Sequence, residues 1–191
     1  MTNNEAFKLF EKCSAILKGH FLLTSGRHSD TYMQCAKLFV NPKISETICA
    51  ELVKKLSAYK IDYVASPATG GIIMGYEVAR QLNKPNIFFE RENNEMTLRR
   101  GFVLKKNSNV LVVEDVVTTG GSVKEVIKCV QGLSSNVIAV ASIVDRSKGE
   151  VDFGVPYINV ISMDIKSYEP ENCPVCKTGL PLIKHGSRSL K

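Results

Sequence analysis

Residues 110–122 read VLVVEDVVTTGGS. Four apolar residues are followed by two adjacent carboxylates, Glu114 and Asp115, then Val116, Val117, Thr118, Thr119, Gly120, Gly121 and Ser122, after which a helical pattern begins. Each part suits a phosphorylated sugar. In open α/β sheets ligands bind beyond the C-terminal ends of the strands. A helix start presents free N–H groups and the positive end of its dipole, which together hold a phosphate. Glycines let the backbone come close, and the Thr and Ser hydroxyls add donors. The carboxylates cannot serve the phosphate, because like charges repel. They can accept hydrogen bonds from sugar hydroxyls and stabilise positive charge developing on a sugar carbon. A solvated acidic corner on a strand–turn–helix would account for a lone Gly-Gly, but not for this ordered set. A Walker-type nucleotide site is excluded: there is no GxxxxGK[ST], and no lysine follows these glycines.

The other chemistry-bearing residues are scattered. Arg146 follows an apolar strand pattern, where a solvated arginine is common. His20, His28 and His185 are isolated, and a surface or turn position is the default for each. Of the three, His28 sits in the turn most worth testing. Cys173-Pro-Val-Cys176 has metal-ligand spacing, but a closed zinc site needs four ligands and the chain has one CxxC. His185 could be a third ligand, or two subunits could each give a pair. A thioredoxin-like role lacks the surrounding pattern. No protein-held metal is therefore expected in the site.

These residues need elements to position them. Thr2 and Glu5 have capping-box spacing, and Ala6, Phe10, Cys13 and Leu17 recur at helical intervals, with Gly19 placed to close the helix. Strands are predicted over 21–23 and 31–35, around the turn Ser25-Gly26-Arg27-His28. Asn41-Pro42 reads as an N-cap and first-turn proline, and Ile44, Ile48, Leu52 and Leu56 share one helical face. Strands at 61–66, 86–89, 110–113, 137–144 and 157–161 then alternate with helices at 72–82 and 122–130. Wholly apolar strands of this kind are covered on both faces, so the fold class is α/β: a mostly parallel central sheet flanked by helices. Residues 91–101, RENNEMTLRRG, are polar and read as a mobile loop or hairpin, and 169–191 reads as a loosely structured C-terminal extension.

The bulk properties agree. A length of 191 residues fits one α/β domain with a small appendage, and 44% hydrophobic residues can build a sizeable core. No apolar run reaches membrane-spanning length, and no basic start with an apolar stretch marks a secretory signal, so a cytoplasmic address is expected. Six cysteines without an export signal do not argue for disulfides. The net charge of +6 suits anionic ligands. Nucleic-acid binding would call for a basic stripe with interleaved aromatics, and Trp is absent. The tail cations Lys177, Lys184, Arg188 and Lys191 read as a solvated segment.

VLVVEDVVTTGGS resembles the PRPP-binding motif of type I phosphoribosyltransferases, and the likeness extends over nearly the whole chain. Residues 19–34 (GHFLLTSGRHSDTYMQ) resemble the base-binding hairpin of the orotate phosphoribosyltransferases. SPATGG at 66–71 is similar to their pyrophosphate-side loop, and Asp145-Arg146 to their arginine-bearing turn. CPVCKTGLPLIKHGSR resembles the tail of a variant branch of that family. The resemblance implies the type I phosphoribosyltransferase fold, with a small hood formed by both termini. It divides the chain into a hood at 1–40, a PRPP-binding core at 41–168 and an extension at 169–191.

By the same resemblance the activity is transfer of the phosphoribosyl group of PRPP to orotate, giving orotidine 5'-monophosphate and pyrophosphate in pyrimidine (UMP) biosynthesis. Glu114 and Asp115 would hold the ribose hydroxyls, with Asp115, Glu114 and Arg91 carrying catalysis. Residues 116–122 would complete the PRPP site around the 5-phosphate, and Thr118 and Arg146 would face orotate. Arg91, with Arg99 or Arg100, would reach the pyrophosphate from the loop across a homodimer interface. Mg²⁺ would be bound mainly through PRPP, with no nucleic-acid or membrane partner. Thr24 and Gly70 stand where family members commonly have lysine, and the 91–101 loop lacks the usual lysines and histidine. Two neighbouring readings stay open: transfer to another base, and a non-catalytic PRPP-sensing regulator.

Overall fold

The computed structural model describes residues 2–23 and 25–184. Thr24, His185, Arg188 and Lys191, each discussed above, lie outside the described residues. Helix α1 (Asn3–Lys12) opens on the expected capping box, with Thr2 and Glu5 satisfying each other's backbone donors. It bears Ala6 and Phe10 on its buried face. It does not run on to Gly19. Ser14 takes a positive φ of 50°, and the chain turns into β1 (Ile16–Leu22). Leu17 and Gly19 are therefore strand residues, and the helical spacing that reached Leu17 was coincidental.

Strand β1 pairs antiparallel with β2 (His28–Met33), so the hairpin is longer than predicted and begins earlier. Its register slips between Lys18 and Phe21. A bulge of this kind re-aims side chains, and here two consecutive residues, His20 and Phe21, are both buried.

Helix α2 (Pro42–Lys55) starts where expected, with Asn41 accepting from the Lys43 N–H. Strand β3 (Tyr63–Pro67), helix α3 (Gly71–Leu82), strand β4 (Asn86–Glu92) and strand β5 (Glu95–Leu98) follow. The polar 91–101 segment is thus mostly the β4–β5 hairpin. Strand β6 (Asn109–Val117), helix α4 (Gly121–Gly132), β7 (Asn136–Asp145) and β8 (Tyr157–Ser162) complete the core. Strand β6 runs four residues beyond its apolar part, so the two acids lie within it and not just after it.

The main sheet has the order β5-β4-β3-β6-β7-β8, and every pairing is parallel except β4 with β5. Both faces are covered. Leu111 and Val113 of β6 pack with Ile48, Leu52, Met74 and Val78 of α2 and α3. Val110 and Val112 pack with Val123, Val126 and Val130 of α4. The strand order reverses between β3 and β6: β4 lies on one side, and β7 and β8 on the other. A crevice opens at such a switch point.

The hood is a second sheet, β2-β1-β9, in which β9 (Ile183–Lys184) runs parallel to β1. Tyr168 also bridges His28 through both backbone bonds, and Arg27 pairs with Glu169. The extension expected to be loose is, over its described residues, fastened to the hairpin.

Candidate active site

An open cleft of about 650 Å³ lies at the switch point. Its floor is the C-terminal end of β6 and the turn into α4, and every residue from 114 to 122 lines it. The nine residues expected from sequence to bind one ligand are thus brought together. Ala68, Thr69 and Gly70 form the wall after β3, and Tyr32 of the hood, Arg91 of β4 and Glu125 of α4 complete it.

The acids are held by local backbone. Asp115 Oδ1 accepts from the Val116 N–H at 2.9 Å, and Glu114 Oε1 from the Asp115 N–H at 3.3 Å. Burial pushes the Asp115 carboxyl above its ordinary value, against the lowering effect of the Val116 N–H and the Glu114 side chain. The α4 N-terminus opens on a tight glycine turn. Gly120 has a φ of +72°, and a Cβ there would fall 2.8 Å from both Phe153 and Val151. Only glycine fits that close turn. On the other wall Gly70 is also close-packed, though without a positive φ, since a Cβ would stand 3.0 Å from Asp115 Oδ1.

Arg91 is a strand residue at the end of β4, not part of a loop. Its guanidinium lines the cleft of its own chain, paired with Glu125 and donating to the Asn94 carbonyl. Arg99 and Arg100 do not line the cleft; they pair with Glu92 and Glu90, and Arg100 also lies over the Phe88 ring.

Arg146 follows β7, its N–H bonded to the Val117 carbonyl at 2.8 Å. It is not a lining residue. Cys35 and Tyr32 act on it electrostatically, and Tyr32 lines the cleft. Burial lowers its pKa, and its Nε is buried without a hydrogen-bond partner among the described residues. Cys35 is buried, and that burial, then the Asp115 charge, hold its thiol well above the usual range.

Tyr32 falls in the 19–34 hairpin, and Ala68 and Thr69 in SPATGG, both segments that the resemblance marked without giving these residues a role; Glu125 was not singled out by sequence. Glu125 carried a usable signal, because it stands one helical turn beyond Ser122 on the same face of α4. Tyr32 was marked only as part of the 19–34 hairpin, and it is the hairpin fold that brings it to the cleft. The two histidines expected at the surface are buried instead: His20 and His28 are 4% and 7% exposed.

Comparison with known proteins agrees with this geometry. Residues 39–169 match the family described as phosphoribosyl transferase domain. The orotate phosphoribosyltransferase of Caldanaerobacter subterraneus subsp. tengcongensis is 57% identical over 190 residues, covering 100% of both chains. That of Thermotoga maritima is 51% identical over 184 residues, covering 96% of this chain and 98% of the relative. Among solved structures, orotate phosphoribosyltransferase from Aeropyrum pernix superposes with a TM-score of 0.71 at 27% identity, covering 82% of this chain and 92% of that one. A cleft of this build, on this sheet order, in a chain so similar over its full length to these relatives, places the protein in the orotate phosphoribosyltransferase family of type I phosphoribosyltransferases.

Proposed function

We propose that the chain transfers the phosphoribosyl group of PRPP to orotate, forming orotidine 5'-monophosphate and pyrophosphate in pyrimidine biosynthesis. The carrying observation is the run from Glu114 to Ser122, which lines the cleft where the strand order reverses. Glu114 and Asp115 hold the ribose 2- and 3-hydroxyls. The α4 N-terminus, with Thr118, Thr119, Gly120, Gly121 and Ser122, takes the 5-phosphate over the backbone of Val116 and Val117. Arg91 stands toward the pyrophosphate, tethered by Glu125. Thr118 faces the orotate, and Arg146, although set back from the cleft lining, is assigned to the same anion because its buried Nε has no hydrogen-bond partner among the described residues.

The base nitrogen attacks C1 as the C1–pyrophosphate bond breaks, through a transition state with positive charge on the sugar. The Asp115 carboxylate stabilises that charge, and the cleft supplies positioning without covalent catalysis. Two adjacent carboxylates are too few for an all-protein magnesium cage but suit oxygen-only contact with a cation carried by PRPP. When bound there, Mg²⁺ neutralises charge on the leaving pyrophosphate.

The hood at 1–40, the core at 41–168 and the extension at 169–191 are our division: the six-stranded sheet supports the core as a unit, while the three-stranded sheet joins the hairpin of the first segment to β9 of the last. No described helix is long and apolar enough to cross a membrane, which fits a cytoplasmic location. A homodimer with shared hairpins belongs to the same reading. Ile73 and Tyr76, exposed one turn apart on α3, support a partnered face, and Arg99 and Arg100 lie off their own chain's cleft. Orotate consumption, followed by its absorbance, is expected only when PRPP and Mg²⁺ are both present. Turnover of adenine or xanthine in place of orotate, or PRPP binding without any turnover, would sink the assignment.

A further inference from the structure

Four metal-ligating side chains meet in the hood, away from the cleft. His20 and His28 come from the β1–β2 hairpin, Cys173 and Cys176 from the C-terminal extension, and their ligand atoms all lie within 4.8 Å of one another. We propose that these residues form a tetrahedral Cys₂His₂ zinc site that fastens the C-terminal extension to the hairpin.

The distances match the edges of such a site. Zinc–nitrogen and zinc–sulfur bonds of ordinary length place two nitrogens about 3.3 Å apart, and a nitrogen and a sulfur about 3.6 Å apart. Here His20 Nε2 lies 3.0 Å from His28 Nδ1, Cys173 Sγ lies 3.7 Å from His20 Nε2, and Cys176 Sγ lies 3.5 Å from His20 Nε2 and 3.3 Å from His28 Nδ1. Both cysteines are free thiols.

The surroundings set the ligand chemistry. His20 Nδ1 is 2.9 Å from the Leu180 carbonyl, which can only accept, so Nδ1 carries the proton and the Nε2 lone pair faces the cluster. Metal-bound histidines are commonly oriented in this way. The bulge in β1 leaves His20 buried beside Phe21, two residues from Leu22, the strand partner of His28, with the two imidazole centroids 4.9 Å apart. Cys173 is 1% exposed, while Cys176 is at the surface and leaves a way in for the ion. Two nitrogens and two thiolates at this size suit Zn²⁺, not a hard oxygen-seeking cation.

The extension also needs a fastening. Strand β9 contributes two residues to the hood sheet, and its neighbours Leu180 and Leu182, like Ile183 within it, are substantially exposed. Where an apolar core is this thin, a structural metal is the usual substitute.

The test starts from the full chain, stripped with a chelator and titrated with ZnCl₂ alone. One zinc per chain is expected by elemental analysis. The Co²⁺-substituted protein is expected to show the intense visible bands of a tetrahedral site and sulfur-to-cobalt charge transfer. Cys176→Ser, at an exposed position, is expected to weaken zinc binding at least tenfold and to lose the charge-transfer intensity. Zinc is expected to raise the melting temperature of the parent and not of this variant. Failure to bind zinc, an octahedral cobalt spectrum, a Cys173–Cys176 disulfide in the freshly reduced protein, or unchanged affinity in Cys176→Ser would each overturn the proposal. None of these readouts involves orotate or PRPP, so the catalytic reading stands or falls separately.

Discussion

Asp115 is where chemistry and stability pull apart. Burial raises its pKa above the ordinary 3.8, so the folded state holds the proton more tightly than the unfolded chain does. Between those two values the unfolded chain binds fewer protons, and stability falls as pH rises through the window. Ionised Asp115 is thus a cost to the fold at neutral pH, retained for its place in the cleft. Asp115→Asn is expected to lose turnover by about a hundredfold or more, yet to melt no lower than the parent at pH 7. The parent's kcat/KM is expected to fall with acidification at a higher pH than an exposed aspartate would give, and this limb is expected to vanish in the variant. A variant that is both active and less stable would contradict the assignment. The residues of this site were readable in sequence because the chain places them side by side, from Glu114 to Ser122. Tyr32, Ala68 and Thr69 reach the same cleft from other elements, and they were marked only through the segments that contain them, the 19–34 hairpin and SPATGG, because their types and spacing alone announce no chemistry.

At the scale of elements, the β6–α4 junction would set how close the proposed 5-phosphate can come. Gly120→Ala forces a side chain into the left-handed region and onto Phe153 and Val151. Both effects are unfavourable, together about 2–4 kcal/mol, so a lower urea midpoint and a raised KM for PRPP are expected. Gly121→Ala is the control. Its nearest contact would be Thr119 Oγ1 at 3.8 Å, with no positive φ, and the urea midpoint should barely move. The parallel core was legible because its strands are apolar on both faces and its helices amphipathic. The hood was not. Ala6, Phe10, Cys13 and Leu17 keep helical spacing past the point where Ser14 breaks the helix, so β1 was cut short at its start. His20 and His28 looked unrelated because the hairpin register that makes them neighbours depends on a bulge, which periodicity does not reveal.

For the whole molecule, assembly is the property that local patterns reach least. The exposed Ile73 and Tyr76 support a paired state, and sedimentation is expected to give twice the 21.1 kDa of one chain. A species of single-chain mass at micromolar concentration would remove the dimer from the reading. The order in which the hood is completed follows from its strand pairing. Strand β1 waits between two partners: β2 is local, but β9 lies some 160 residues downstream, where Phe21 meets Ile183. During synthesis the six-stranded core can close while one edge of the hairpin is still bare. That edge is a site for mispairing with other nascent chains until residue 184 has left the ribosome. The amino end of this protein is therefore among the first parts made and the last to be finished.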